Sequence, residues 1–573
     1  MRPRDVQVLP IGAGVTVYRC RSWQRLRFEI EYALEKGTTA NSYLIAGDKL
    51  ALIDPPGATF TEIYVQALRE RVDLTKVSYV ISQHINPNRV ETLHTLWQIA
   101  PQLTFVSSNL GIKNLTALLE SNFPNTWQPN ALQTLIVKGD EPLDLGQGHV
   151  LQFMLAPTPR YPDGIATYDT LTQILFTDKF FGAHICGDQV FDEGSEQLLS
   201  DRRYYFDCLM ANQTRQVESF LDKIANLPVQ LYAPNHGVLV RYSLYELFQL
   251  YKQWCAVQQK QDIKVTILYA SAYGNTTVLG QALARGITKA GIAVESINCE
   301  HAQPEEIKQA VEKAAGILIG SPTLAGHVPT QVQTALGIML ANAPKSALTG
   351  VFGSYGWSGE AVDTISAKLK EAGYAQGFDP IKIKFTPTEA ILQMCEETGT
   401  DFAQSLKMTK KVPITLVPGS TVEQAVGRIV GSLCVVTAQK GEIRTAMLAS
   451  WVSQATFNPP GITVAVAQDR AIESFLYLGD RFVLNILPQG KNVARQFMKK
   501  FPPGGDRFID VETETTPSGG IVIKSALAYL ECVVKQRMEV GDHWLIYAEA
   551  TQGKVLLANE LTAVHHRKSG GHY

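Results

Sequence analysis

KVTILYASAYGNTTVLGQALARGITKAG, residues 264–291, sets an apolar run, a short polar loop and an amphipathic run in immediate succession. Lys264 to Ala270 has the composition of a buried strand, and from Val278 to Gly291 the apolar residues Leu279, Leu283 and Ile287 recur at helical spacing. The loop between them contains Ser271, Tyr273, Gly274, Asn275 and Thr276. Hydroxyls beside the positive end of a helix suit a phosphate carrying about two charges. Gly274 lets the backbone approach it closely. Alone, the six residues 271–276 fit an ordinary βα turn equally well.

Two later stretches repeat the arrangement. The strand-like GILIG, residues 316–320, opens into Ser321, Pro322, Thr323 and Leu324. Ala347 to Phe352 leads to Ser354, Tyr355, Gly356, Trp357, Ser358 and Gly359. Strands at 264–270, 293–297, 316–320, 348–352 and 382–385 alternate with helical patterns, which predicts a doubly wound parallel sheet with ligands at its carboxyl edge. The first loop has no Walker lysine and no GxGxxG, which disfavours ATP and NAD there. This stretch resembles flavodoxin. The resemblance implies that the first loop holds the phosphate of FMN and the other two its ring, with Trp357 or Tyr355 beside the isoalloxazine.

The chain has 573 residues, enough for three or four domains. An apolar content of 45%, a charged content of 18% and a net charge of −2 predict a soluble globular protein with no nucleic-acid partner and no anionic-membrane attraction. No apolar run reaches the ~20 residues that span a bilayer. The N-terminal stretch, interrupted by Pro10, Gly12 and Gly14, reads as a first strand rather than a signal peptide. Eight cysteines without a CxxC pair fit reduced thiols in a cytoplasmic protein and argue against an iron–sulfur or structural zinc site. Polar residues 258–261 and the basic run 407–413 mark two boundaries, giving domains at 1–258, 262–408 and 414–573.

In the first domain, strands on either side of Gly47-Asp48 precede an alternation of helices and strands. The domain resembles the metallo-β-lactamase αββα fold in the version found in flavodiiron proteins. That family places a His-x-Glu-x-Asp-His motif, a further His, a bridging Asp and a late His around two irons. At the corresponding positions stand His84, Asn86, Asn88, Arg89, Arg160, Lys179 and His236, so only the two histidines remain as ligands. Three cations replace ligands in a space where unit charges ~4 Å apart interact by roughly 4 kcal/mol at an effective dielectric near 20. Iron bound in the family's manner is therefore not expected. A register slip that brings in Asp178, or one weakly held metal on two histidines and an aspartate, remain as alternatives. Another is that the cations pair with Glu91, Asp163, Asp178 or Asp188, or hold a small anion. His94, His149 and His184 are expected to be ordinary surface or core histidines.

The last region is β-rich. It contains Thr445, Ala446, Ser450 and Ser453, then FNPP at 457–460 and DRFVLNIL at 480–487. It resembles the flavin reductase family, a split β-barrel in which NAD(P)H hands hydride to a flavin. On that resemblance Thr445, Ala446, Ser450 and Ser453 hold a second flavin, FMN or FAD, and His543 of Gly541-Asp542-His543 lies near flavin and nicotinamide. Otherwise His543 is a surface-turn histidine. The basic, His-rich tail 563–573 fits metal binding by composition, or a solvated or partner-facing segment.

Taken whole, the chain resembles the three-domain flavodiiron proteins of oxygenic phototrophs, which reduce O2 to water with electrons from NAD(P)H or a reduced donor. In them the FMN loop and the metal pocket of one chain lie far apart, and electrons cross between subunits of a head-to-tail dimer. The expected partner is a homologous chain with complete ligands, with a homodimer also open. The implied function is a flavoprotein oxidoreductase subunit. The alternatives are a regulatory or structural partner, and a stand-alone NAD(P)H:flavin oxidoreductase.

Overall fold

The computed structural model describes residues 4–23, 37–126, 132–139, 141–260, 263–409, 421–490, 493–499 and 501–567. It divides into two compact units, Met1–Lys260 and Gln261–Tyr573. The predicted domain starts at 262 and 414, the linker residues 410–413 and the tail residues 568–573 lie outside the described residues.

The first unit stacks two sheets. Seven strands lie side by side in chain order from Asp5–Gly12 to Gln133–Val137, and five more run from Leu143–Gly146 to Leu231–Pro234. The predicted hairpin is present as Thr38–Ala46 and Leu50–Ile53, paired antiparallel. Val17, Tyr43, Ile53, Ile81, Phe153 and Phe176 meet in the shared interior, and helices such as Thr61–Arg69 and Val90–Ile99 cover the first sheet through Tyr64, Leu68, Leu93 and Leu96. Helix and sheet thus each bury one apolar face, the layered arrangement that the alternation predicted.

The second unit opens with five strands: β1 (Lys264–Tyr269), β2 (Ala293–Asn298), β3 (Gly316–Gly320), β4 (Leu348–Tyr355) and β5 (Ile381–Lys384). All pair in parallel in the order β2-β1-β3-β4-β5. Helix α1 (Asn275–Lys289) follows β1, and α2 (Glu389–Thr409) follows β5, so both begin at the carboxyl edge of the sheet. These helices pack closely: a methyl at Gly286 would collide with the Glu396 carbonyl oxygen, and the Thr400 hydroxyl donates to the Gly286 carbonyl at 3.2 Å.

The β-rich region forms a seven-stranded antiparallel sheet whose longest strands are Ala528–Val540 and His543–Val555. It shares a compact unit with the parallel sheet because α2 presents a polar stripe to it. Gln393 donates to Asp480 at 3.0 Å, and Glu396 accepts from the Tyr477 hydroxyl at 2.9 Å. Lys289 reaches Glu396 at 2.9 Å and Glu473 at 2.7 Å, and Glu473 also binds Arg537. Burial works against the Glu473 charge, but Lys289 and Arg537 hold its carboxyl down to about 2. Lys289, Glu396, Glu473 and Arg537 thus each have an opposite charge where they are buried.

Arg507 bridges two acids of α2, Asp401 at 2.6 Å and Glu397 at 3.2 Å. Burial pushes Asp401 up to about 7, with Arg507 countering and Glu397 adding to the rise. A carboxyl whose value is raised by folding binds its proton more tightly in the folded chain, so its contribution declines as pH climbs from 3.8 to about 7 and is level beyond. Asp401→Asn removes that slope. The difference in urea midpoint between variant and wild type is expected to widen across that interval, and a difference that stays constant would refute the assignment.

Candidate functional sites

At the carboxyl edge of the parallel sheet the structure brings the three predicted loops together. Helix α1 starts at Asn275, inside the loop and three residues before the apolar periodicity, because Gly274 takes a φ of 79° that a side chain would resist. A Cβ on Gly274 would meet nothing within 4 Å, so the space over the helix terminus is open. The Ser271 hydroxyl accepts the Thr277 N–H at 3.3 Å. Thr276 is buried, and its hydroxyl lies 3.0 Å from that of Ser354, at the carboxyl end of β4 before the third loop. The Thr323 N–H donates to the Ser354 carbonyl at 3.1 Å, tying in the second loop. Ser321 and Pro322 are buried beneath, and the Ser321 hydroxyl bonds the Pro322 carbonyl at 2.9 Å.

Around this scaffold Tyr273 is 88% exposed and Trp357 is 95% exposed, with Leu324 also exposed and Tyr355 half-buried. Gly356, Ser358 and Gly359 complete the third loop before the helix Glu360–Glu371. An open helix terminus lined by hydroxyls, flanked by aromatic side chains left in water, fits a phosphate joined to a flat ring system. The residues present therefore fit FMN.

In the first unit the structure gathers His84, Arg160, Lys179 and His236 around Tyr161. His84 lies 4.7 Å from the Tyr161 ring centre, the Arg160 guanidinium 5.5 Å and the Lys179 ammonium nitrogen 5.6 Å. His236 Nδ1 is 2.7 Å from the Thr39 carbonyl oxygen, which can only accept, so that nitrogen carries the proton. The other nitrogen, Nε2, is then the lone-pair site a metal would use, and Lys179 Nζ sits 2.9 Å from it. Burial holds both groups well below their ordinary values, His236 with a further push from Lys179.

The remaining members serve the protein itself. Arg89 donates to Asp54 at 3.0 Å, both side chains being buried, and Asp54 also accepts the Gln83 backbone and side-chain N–H groups at 3.0 and 2.7 Å. Asp178, with a φ of 50° in the tight turn that ends its strand, lies 2.9 Å from His84 Nδ1 and accepts from Asn235. Asp163 accepts the Ile85 N–H at 2.7 Å. Asn86 caps the 3-10 turn Pro87–Arg89 by accepting the Asn88 N–H, and Asn88 is exposed.

Asp54, 35 residues from Arg89, was missed in the sequence, where Glu91 is the nearer acid; no local signal marks it. Asp188, another expected partner, instead pairs with Arg21 at 2.7 Å. Of the other histidines, His149 binds Asp169 and His94 stacks on Phe123, whereas His184 lies within the pocket, 4.9 Å from His236 ring to ring. Among the described residues no group of three or more His, Cys, Asp or Glu side chains could hold a metal ion. With a lysine on the His236 lone pair, the donor set does not fit two irons.

In the β-rich domain Ser450, Trp451 and His543 come together. His543 is buried at the start of its strand, lies 2.8 Å from Asp542, and stacks on Trp451 at 4.8 Å, which removes the surface-turn alternative. Ser453 and Phe457 are exposed on the neighbouring hairpin. The Thr445 hydroxyl is taken by Glu397 of α2, and the Ala446 side chain packs with Val435, Leu487 and Phe497. As consecutive strand residues, the two point to opposite faces of the sheet.

Three family models match the chain: the ODP family beta lactamase at residues 38–237, Flavodoxin at 267–399 and the Flavin reductase like domain at 426–570. The chain is 62% identical over 574 residues to diflavin flavoprotein A 6 of Nostoc sp. (strain PCC 7120), covering 100% of this chain and 99% of that one. It is 41% identical over 572 residues to diflavin flavoprotein A 1 of Synechocystis sp. (strain PCC 6803), covering 99% and 98%. Among solved structures, the metal-soaked Flv1 flavodiiron core from Synechocystis sp. PCC6803 aligns with a TM-score of 0.68 at 55% identity, over 71% of this chain and 100% of that chain.

Proposed function

The chain belongs to the diflavin flavoprotein A family of flavodiiron proteins, and from that premise we propose that it delivers electrons from NAD(P)H toward O2 on behalf of a homologous chain whose diiron site is complete. The observation that carries this reading is the Lys179 nitrogen seated on His236 Nε2 while the three loops around Gly274 stay open. One end of the electron path is blocked, and the other is built to receive its cofactor.

When bound, FMN and a second flavin supply the chemistry that links a hydride donor to a one-electron acceptor. The protein's own residues do the holding. Ser271, Thr276 and the α1 terminus take the phosphate, Trp357 and Tyr355 cover the ring, and His543 on Trp451 stands where donor and second flavin meet. Arg89 is spent on Asp54 and Lys179 sits on the His236 lone pair, so the chain holds no diiron centre of its own. It works in the cytoplasm in a head-to-tail hetero-oligomer. Among the described residues no helix is long and apolar enough to cross a membrane.

The test is NAD(P)H-driven O2 uptake by this chain, by a homologue with all ligands, and by the two mixed. The mixture is expected to exceed the sum of the separate rates. A mixture equal to that sum would remove the electron-delivery reading. Peroxide as the sole product of this chain alone would favour a stand-alone flavin oxidoreductase.

A further inference from the structure

Residues 564–567 are strapped onto the flavin-reductase-like domain. Val564–His565 pairs antiparallel with Gly431–Ser432, which fixes the strand beside Ser450. His565 Nδ1 lies 3.1 Å from the Ser450 hydroxyl, and the Arg567 guanidinium carbon lies 4.7 Å from the Trp451 ring centre. Trp451 also carries His543 at 4.8 Å, so one indole holds an imidazole and a guanidinium. Arg567 Nη1 is buried without a hydrogen-bond partner, and no acidic side chain pairs with Arg567 among the described residues. A cation packed on an aromatic ring with an unmatched N–H leaves a position for an anion.

From this geometry we propose that Ser450, His565 and Arg567 form a phosphate-binding subsite whose aromatic floor is Trp451. The inference rests on the reading of this domain as a flavin and dinucleotide site, and it names the residues that take the phosphate. The planar guanidinium matches two phosphate oxygens at once, and the Ser450 hydroxyl, by donating to His565 Nδ1, sets the tautomer that carries its proton on Nε2. With Nδ1 engaged by Ser450, the remaining His565 nitrogen, Nε2, is left for the ligand. A metal is the poorer occupant, because His565 already spends one nitrogen on Ser450 and no described cluster offers three metal ligands. The phosphate belongs either to the flavin or to the 2′ position of a dinucleotide, and the two sources are separable.

The experiment titrates the full chain with FMN against riboflavin, and with 2′,5′-ADP against 5′-AMP, following indole quenching. Trp451→Phe supplies the blank that isolates this site from the FMN loop of the parallel sheet. In Arg567→Gln, the phosphorylated member of one pair is expected to bind roughly 10- to 100-fold more weakly while its counterpart is unchanged, the loss of one charge-assisted contact. The affected pair identifies the source. Arg567→Lys is expected to recover part of the loss, which excludes a folding defect. Equal weakening within both pairs, or none in either, overturns the subsite. Should wild type give no Trp451-dependent signal with any of the four compounds while the O2-uptake mixture still exceeds its parts, the subsite falls and the proposed function stands. If the mixture also shows no gain, both fall.

Discussion

Arg89→Ala is expected to destabilise the first unit by about 3–5 kcal/mol, the range for removing one partner of a buried ion pair. Arg89 and Asp54 are both buried, and Asp54 keeps only its two bonds from Gln83 when the guanidinium is gone. Burial already pushes the Asp54 carboxyl upward, and the Arg89 guanidinium is the strongest group opposing that rise. The variant therefore leaves an aspartate that must protonate or stay charged in an apolar interior. Chemical denaturation of the full chain measures the loss. Asp54→Asn combined with Arg89→Ala should lose much less than the two single changes added together, because neither charge is then stranded. A loss below about 1 kcal/mol for Arg89→Ala, the scale of an exposed pair, would mean that the pair is wetter than its geometry.

Refilling the pocket should have the second large effect. Wild-type chain produced in iron-rich medium is expected to hold well under two irons. The variant Asn86→Glu, Asn88→Asp, Arg89→His, Arg160→His, Lys179→Asp should gain iron by elemental analysis. The decisive change is Lys179→Asp, because it uncovers the His236 Nε2 lone pair and supplies the carboxylate that can bridge. Arg89→His is the weak member, since it also takes the counter-ion from Asp54. The five-fold variant should thus be less stable than wild type without iron and regain stability when iron is added, as metal binding couples to folding. Two irons in the wild-type chain, or a folded five-fold variant that takes up none, would overturn the account of the pocket.

Several functional features were legible along the chain. The three loops that meet at Ser354 each follow an apolar strand, and a strand followed by a helical pattern forces a parallel sheet with its loops at one edge. That positions 86, 88, 89, 160 and 179 carry no carboxylate is also read directly from the chain. The partner of the Thr445 hydroxyl was not legible. A hydroxyl in a strand is marked in sequence, but which face it takes depends on the register, and here Glu397 of α2 claims it.

What the sequence by itself determined is therefore local: the order of strands and helices, the loop chemistry around Gly274, and the absence of a carboxylate at 86, 88, 89, 160 and 179. Tertiary structure alone decided which charges meet. Arg89 found Asp54 across 35 positions, Lys179 found His236 across 57, and Lys289 joined Glu473 across 184. Periodicity fixes the face a residue occupies over a few turns. A buried charge, by contrast, takes whichever opposite group or lone pair the packed chain brings within about 3 Å, and no repeat along the chain encodes that distance.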